Sequence, residues 1–227
     1  MCTMTTVGFI GSGNIGSTVA RLATVAGYDV VVSNSRVPET LSDLVAELGP
    51  RATAGTTADA AATDLVVVTI PLGSFRNIPA ELLAGRVVID TMNYYPQRDG
   101  VIPELAEEKM SSSQLVQAGL PESRVVKAFN NIYFRHLAEL ARPNDSRDRS
   151  ALPIASDDPV ARKQVTEFLD QIGYDAVDLG ALAESWRSQP DTLVYGTVYA
   201  ADPTDWLAGP APAGKDKVAA AAAAATP

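Results

Sequence analysis

Residues 6–36 read TVGFIGSGNIGSTVARLATVAGYDVVVSNSR. An apolar run at 7–10, long enough for one buried strand, leads directly into Gly11-x-Gly13-x-x-Gly16. Ile15, Val19, Leu22 and Ala23 then recur at helical spacing, and 28–32 is a second strand-like run. Strand, glycine loop, helix and strand stand in the order of a dinucleotide-binding βαβ unit. In such a unit Gly11 permits the tight turn, Gly13 lets the backbone approach a pyrophosphate, and Gly16 lets helix pack on strand. Ser12, Asn14 and Ile15 complete the loop. The first N–H groups of the helix lack intrahelical partners and carry the positive end of its dipole, so they favour phosphate. Gly27 is placed to end the helix.

The second strand ends in Ser33-Asn34-Ser35-Arg36, with no carboxylate. An Asp or Glu there would accept hydrogen bonds from a ribose 2′-OH and repel a 2′-phosphate. Arg36 offers that phosphate a forked, permanently charged partner, and Ser33, Asn34 and Ser35 can add neutral hydrogen bonds. The pattern selects NADP over NAD.

Downstream the βα alternation continues. Helices are expected at 41–48 and 58–62, strands at 52–54, 64–71, 86–90 and 124–129, and partly helical chain at 75–83. Helices follow at 102–110, 113–120 and 132–140. The expected fold is α/β: a Rossmann-type doubly wound parallel sheet with a small C-terminal α/β part. That part has strand-like runs at 151–156 and 174–179 around a helix at 159–172, opened by Asp158-Pro159. One or two helices are expected in 182–201, broken at Pro190. The expected division is 1–150 for the nucleotide-binding domain, 151–207 for the small part and 208–227 for a flexible Ala/Pro tail.

With 227 residues the chain can bury one α/β core. No apolar run approaches a membrane span, and MCTMTT at the start has no basic or apolar character of a secretory signal. A single cysteine, Cys2, leaves no intrachain disulfide and no Cys cluster for a metal. These features lead us to expect a cytoplasmic protein. The net charge of −9 argues against nucleic acid or an anionic membrane as partner.

Ligands of such a sheet lie beyond the carboxyl ends of its strands. That places Thr69-Ile70-Pro71, the stretch Asp90 to Asn93, and Asn130-Asn131-Ile132 beside the glycine loop. The set is poor in acid–base groups, and no catalytic side chain and no metal site is assigned. The one histidine, His136, reads as structural, Lys127 as a strand-end lysine, and Tyr94-Tyr95 as a wall for a ring or as packing. Carbonyl reduction needs a proton donor. Hydride exchange between two redox cofactors needs only that donor and acceptor carbons be held together in a dry cleft.

The glycine loop, SNSR at 33–36, DLVVVTIP at 64–71, VVKAFNNI at 125–132 and DLGALAES at 178–185 together resemble the NADPH-dependent reductases of the deazaflavin coenzyme F-420. The resemblance covers about 7–195. It implies a homodimer that transfers hydride directly between NADPH and coenzyme F-420. It assigns Gly11 to Ile15 to the pyrophosphate, Ser35 and Arg36 to the 2′-phosphate, and Thr69, Ile70 and Pro71 to the nicotinamide ribose. Asn93, Asn130 and Ile132 would line the hydride-transfer cleft. The chain departs from the archaeal pattern of that family at Asn130-Asn131, at Ser185-Trp186 and through 90–100, on the side of the second substrate. Basic residues for the anionic deazaflavin tail are sought in Lys127, Arg135 and Arg187. The alternatives are an NADPH-dependent reductase of a small imine, carbonyl or flavin-type acceptor, and a non-catalytic NADP-binding protein.

Overall fold

A computed structural model describes residues 5–226, with the Trp206 side chain left aside; Cys2 and most of the N-terminal stretch lie outside the described residues. In chain order the elements are β1 (Thr6–Ile10), α1 (Asn14–Val25), β2 (Asp29–Ser33), α2 (Ser42–Leu48), β3 (Ala52–Ala54), α3 (Thr57–Ala61), β4 (Leu65–Val68) and β5 (Val87–Asp90). They continue with α4 (Pro96–Asp99), α5 (Pro103–Ala106), α6 (Ser112–Gly119), β6 (Arg124–Lys127), α7 (Phe134–Glu139), β7 (Ala151–Ile154) and α8 (Pro159–Gln171). The chain ends with β8 (Asp175–Asp178), β9 (Ala200–Asp202), β10 (Asp205–Pro210) and α9 (Lys215–Ala223).

Six strands form one parallel sheet in the order β3-β2-β1-β4-β5-β6. The order reverses between β1 and β4, and a crevice opens there beyond the strand ends. Side chains alternate between the two faces, as strand geometry dictates. Val7, Phe9, Leu65, Val67, Val87, Ile89 and Val126 enter one apolar cluster; Ile10, Val66, Val68, Val88 and Val125 enter the other. Each fully buried side chain of this kind contributes about 1.5–3 kcal/mol of transfer free energy. The continuous apolar runs thus belong to strands covered on both faces.

Strand β6 carries the chain into the C-terminal part. Lys127 and Ala155 form an antiparallel bridge, β7 pairs with β8 in parallel, and β9 pairs with β10 antiparallel. Buried Arg149 braces this part, donating to Asp170 and Asp175 and to the carbonyls of Asp170 and Tyr174. Asp158 caps α8 as expected, accepting from the N–H groups of Val160 and Ala161 at 2.8 and 2.9 Å.

Three expectations need correction. The 102–110 helix stops after Ala106, because Glu108 adopts a left-handed φ of 52° and Ser111 starts a new capping box with Gln114. The 182–201 segment forms 3-10 turns at Leu182–Ser188 and Thr197–Tyr199 and then enters β9, with no α-helix. Its polar side chains bond to neighbouring elements: Ser185 donates to Ser111, whose hydroxyl donates to the Leu182 carbonyl. The supposed tail at 208–227 is structured through residue 226. Its β10 pairs with β9, and α9 buries Val218 and Ala222 against the β7–β8 pair. The Ala151 N–H donates to the Ala213 carbonyl at 2.7 Å and fixes where α9 starts.

Candidate functional site

The glycine loop has the geometry its spacing predicts. Gly11 sits at φ 111°, and a Cβ there would lie 2.3 Å from the Thr69 carbonyl oxygen. A Cβ on Gly16 would lie 2.5 Å from the Gly11 carbonyl oxygen, so the helix packs directly on the turn. Gly13 is different: its φ is −75°, and a Cβ there would meet nothing within 4 Å. Close packing therefore requires Gly11 and Gly16, whereas Gly13 borders open space. No side chain caps the start of α1, and no acidic residue stands in its first turn. The orphan N–H groups and the dipole at that end face the open space over Gly13. An anionic diphosphate fits this arrangement.

At the end of β2 the expected residues divide. Ser33 is fully buried and its hydroxyl donates to the Phe9 carbonyl at 2.9 Å, so it braces the sheet rather than offering itself to a ligand. Asn34 shapes the turn: its Oδ1 accepts from the Arg36 N–H at 2.8 Å and its Nδ2 donates to the Thr40 hydroxyl. Ser35 and Arg36 are exposed, and the Arg36 guanidinium has no hydrogen bond or ion pair among the described residues.

A cleft of about 330 Å³ lies over the switch point. Its walls are Gly13 to Ile15, Thr69 to Pro71, Thr91 to Asn93, Tyr95, Arg98, Phe129 to Phe134, Tyr195 and Gly196. The structure thus brings together Gly13, Asn14, Ile15, Thr69, Ile70, Pro71, Asn93, Asn130 and Ile132. Gly11 and Ser12 in the loop and Gly16 in the first turn of α1 lie outside the cleft wall. The strand-end loops are locked to one another. Asn93 Nδ2 donates to the Asn130 carbonyl at 2.7 Å, and Asn130 Nδ2 donates to Asn93 Oδ1 at 3.1 Å and to the Ser188 carbonyl at 2.6 Å. Asn131 Nδ2 donates to the Val194 carbonyl, and Gly196 N–H returns a bond to the Asn131 carbonyl. These bonds draw 188–196 over the cleft as a strap.

Beneath the cleft, Asp90 and Lys127 form a buried ion pair at 3.2 Å. Asp90 also accepts from Ser113 at 2.7 Å and from the Met92 N–H at 2.8 Å, while Lys127 Nζ donates to the Met92 carbonyl. The pair therefore grips both polar groups of one loop residue. Burial lowers the Lys127 pKa, and the Asp90 charge partly restores it. This lysine neither ends in solvent nor reaches the cleft.

Phe129 occupies the left-handed region at φ 63°, a conformation that costs a bulky residue about 1–3 kcal/mol. It is fully buried and packs edge-on against Phe168 at 6.4 Å. The turn it makes presents Asn130 and Asn131 to the strap. No glycine marks this turn, so nothing local in residues 127–131 announces it.

Sequence reasoning missed Arg98, Tyr195 and the anchoring role of Asp99. Arg98 stands 4.9 Å from the Tyr95 ring centroid and donates to the Asn93 carbonyl at 2.7 Å. Burial tends to raise the Asp99 pKa, but bonds from Arg98 and from the Tyr95 and Gly73 N–H groups outweigh it and lower the pKa. Of the cations sought for an anionic tail, Arg187 is turned away, bonded to Glu184 and the Ala222 carbonyl. Trp186 lines a neighbouring cavity of about 710 Å³ instead. Exposed Arg135 stays near the rim, 5.8 Å from the Phe134 ring. Tyr94 ties its own loop, donating to the Gly100 carbonyl. His136 is buried behind Tyr133 with its Nδ1 unpartnered, and burial lowers its pKa.

The sequence profile of the NADP oxidoreductases that depend on coenzyme F-420 matches residues 6–94, the β1–β5 half of this site. The resemblance to that family read from the sequence is thereby shown for residues 6–94. A solved structure of a protein from Arthrobacter sp. FB24, assigned as an F-420-dependent NADP reductase, superposes with a TM-score of 0.67 at 25% identity, over 80% of this chain and 87% of that one. The hypothetical protein SMa0349 of Sinorhizobium meliloti is 30% identical, with a TM-score of 0.75 over 85% of this chain and 94% of its own. The mouse metalloreductase STEAP2 is 30% identical over 184 residues, 79% of this chain. This chain spans only 34–39% of the curated relatives it matches first. The family is one of NADP-dependent oxidoreductases, and the sheet is the Rossmann sheet expected from the sequence. No helix among the described residues is long and apolar enough to cross a membrane.

Proposed function

We propose that this protein transfers hydride between NADPH and the deazaflavin coenzyme F-420, as a cytoplasmic homodimer. One observation carries the NADP half: an uncapped helix start opens on free space over Gly13, with the unpaired Arg36 guanidinium exposed at the neighbouring strand end. In this reading Gly11 to Gly16 hold the pyrophosphate by backbone N–H groups. Ser35 and Arg36 hold the 2′-phosphate, with Asn34 setting the turn. Thr69, Ile70 and Pro71 border the nicotinamide ribose. The bound cofactor supplies the hydride; Asn93, Asn130 and Ile132 orient the rings and keep water out. The deazaflavin half is supported by the family match and by the cationic Arg98 in the cleft wall.

The deciding experiment mixes the protein with NADPH and oxidised coenzyme F-420 and follows the deazaflavin absorbance. Loss of that absorbance at a catalytic rate is the expected result; its persistence overturns the reading. Arg36→Glu is expected to raise KM for NADPH by at least tenfold and leave that for NADH within about twofold, since it removes one charge-assisted contact of about 1.5–3 kcal/mol. An unchanged cofactor preference would remove the 2′-phosphate role. A second reading, NADPH reduction of a small imine or carbonyl compound, is favoured by the two phenols that meet in the cleft wall.

A further inference from the structure

The hydroxyls of Tyr95 and Tyr195 lie 2.5 Å apart although the residues are 100 positions apart in the chain. Tyr95 follows β5, and Tyr195 stands on the strap that Asn130 and Asn131 hold down. Both line the cleft together with Asn93 and Ile132. No carboxylate, histidine or lysine is among the described residues of that wall. Its O–H groups are those of Tyr95, Tyr133, Tyr195, Thr69 and Thr91. An aliphatic alcohol is a far weaker acid than a phenol, so a tyrosine is the natural proton source here. Tyr95 and Tyr195 pair hydroxyl to hydroxyl.

We propose that the Tyr95–Tyr195 pair is the proton donor of the reduction, and that the second substrate is therefore a conjugated ring, imine or carbonyl that takes hydride on carbon and a proton on the nitrogen or oxygen bonded to or conjugated with it. This rests on the hydride-transfer reading and narrows its substrate class. The phenol facing the acceptor gives up its proton to the nitrogen or oxygen that receives the π-electron pair, directly or through conjugation, as hydride from NADPH bonds to the acceptor carbon. That phenolate recovers a proton from its partner across the 2.5 Å contact, and the partner is reprotonated by water. The two electrons come from NADPH, and one proton is taken up per turnover.

Surrounding groups suit the task. Burial, then the bond with Tyr95, raises the Tyr195 pKa, so the phenol stays loaded at neutral pH. Arg98 over the Tyr95 ring favours the transient negative charge, while Asp191 opposes it. A one-electron metal acceptor would not use such a pair.

The test uses the full chain with Tyr95→Phe, Tyr195→Phe and the double variant. Single-turnover reduction of oxidised coenzyme F-420 and of a cyclic imine is followed with NADPH in H2O and D2O. Each single variant is expected to lose about 10²-fold in the chemical step. The double variant should lose little more, because the pair acts as one unit. Wild type should show a solvent isotope effect, and NADP+ affinity measured by calorimetry should stay unchanged. A second readout needs no cofactor: in an alkaline titration of phenolate absorbance, Tyr95→Phe should shift the Tyr195 ionisation to lower pH. An unshifted titration, rates within twofold of wild type, or rate losses that only track lost NADP+ affinity would each overturn the proposal. If wild type reduces neither acceptor, the hydride-transfer reading falls with it; if wild type is active and the variants match it, only the proton donor falls.

Discussion

Within one motif, three glycines do two different jobs, and their substitutions should separate. Gly11→Ala would push a methyl group to 2.3 Å from the Thr69 carbonyl oxygen at a positive φ, so the fold itself must give. Gly13→Ala meets neither obstacle, because its φ is ordinary and nothing lies within 4 Å of the new Cβ. It is expected to keep Tm within about 2 °C, since uncrowded surface substitutions stay near ±0.5 kcal/mol. Its NADP+ affinity should fall at least tenfold because the methyl group stands where the diphosphate approaches. Calorimetry and thermal melts on the two variants check both halves; equal NADP+ affinity in Gly13→Ala would remove the pyrophosphate assignment. Lys127 is another residue whose role its environment decides. Lys127→Met leaves the Asp90 carboxylate buried without its cation, which costs about 3–5 kcal/mol. A Tm drop of about 6–20 °C is expected, with partial recovery when Asp90→Asn is added.

At the scale of elements, what was legible depended on whether local signals agreed. The β1–α1–β2 unit could be read because apolar runs, glycine spacing and helix period all point the same way, and its boundaries fall within a residue or two of those expected. The strand-end residues of the cleft followed from the position of each apolar run. The strap did not, because 182–201 is apolar enough for a helix and tertiary bonds, among them those to Asn130, Asn131 and Ser111, hold it otherwise. Tyr195 was missed for the same reason: a tertiary bond 100 residues away has no local signature. The C-terminal alanines were misread because composition alone cannot tell a tail from a helix that docks through a few residues such as Val218 and Ala222. The packing of α9 gives a direct test. Removing residues 214–227 strips away fully buried Val218, which costs about 2 kcal/mol. Tm should fall by about 4–8 °C or more. An unchanged melt would return the segment to the status of a tail.

Across the whole molecule, the division expected at residue 150 coincides with a change of topology but not with a break in the core. One apolar cluster contains Phe9 of β1, Ile89 of β5 and Val126 of β6 together with Leu152 of β7, Val165 of α8 and Val218 of α9. Phe168 of α8 packs edge-on against both Tyr28, beside β2, and Phe129, beyond β6, at 5.4 and 6.4 Å. Sheet and C-terminal part therefore share the contacts that stabilise each of them. The strap adds a functional reason for the coupling, since Tyr195 reaches the cleft only while 188–196 is held by strand-end asparagines. Urea unfolding is accordingly expected to give one transition, with tryptophan fluorescence and far-UV circular dichroism coinciding. NADP+ at a hundredfold excess over its Kd should move that whole transition by about 2.7 kcal/mol. Two separated transitions, or a cofactor shift confined to one of the two probes, would mean that the C-terminal part folds on its own. Its phenol would then reach the cleft through a movable contact, and the proton donor would depend on how often that contact forms.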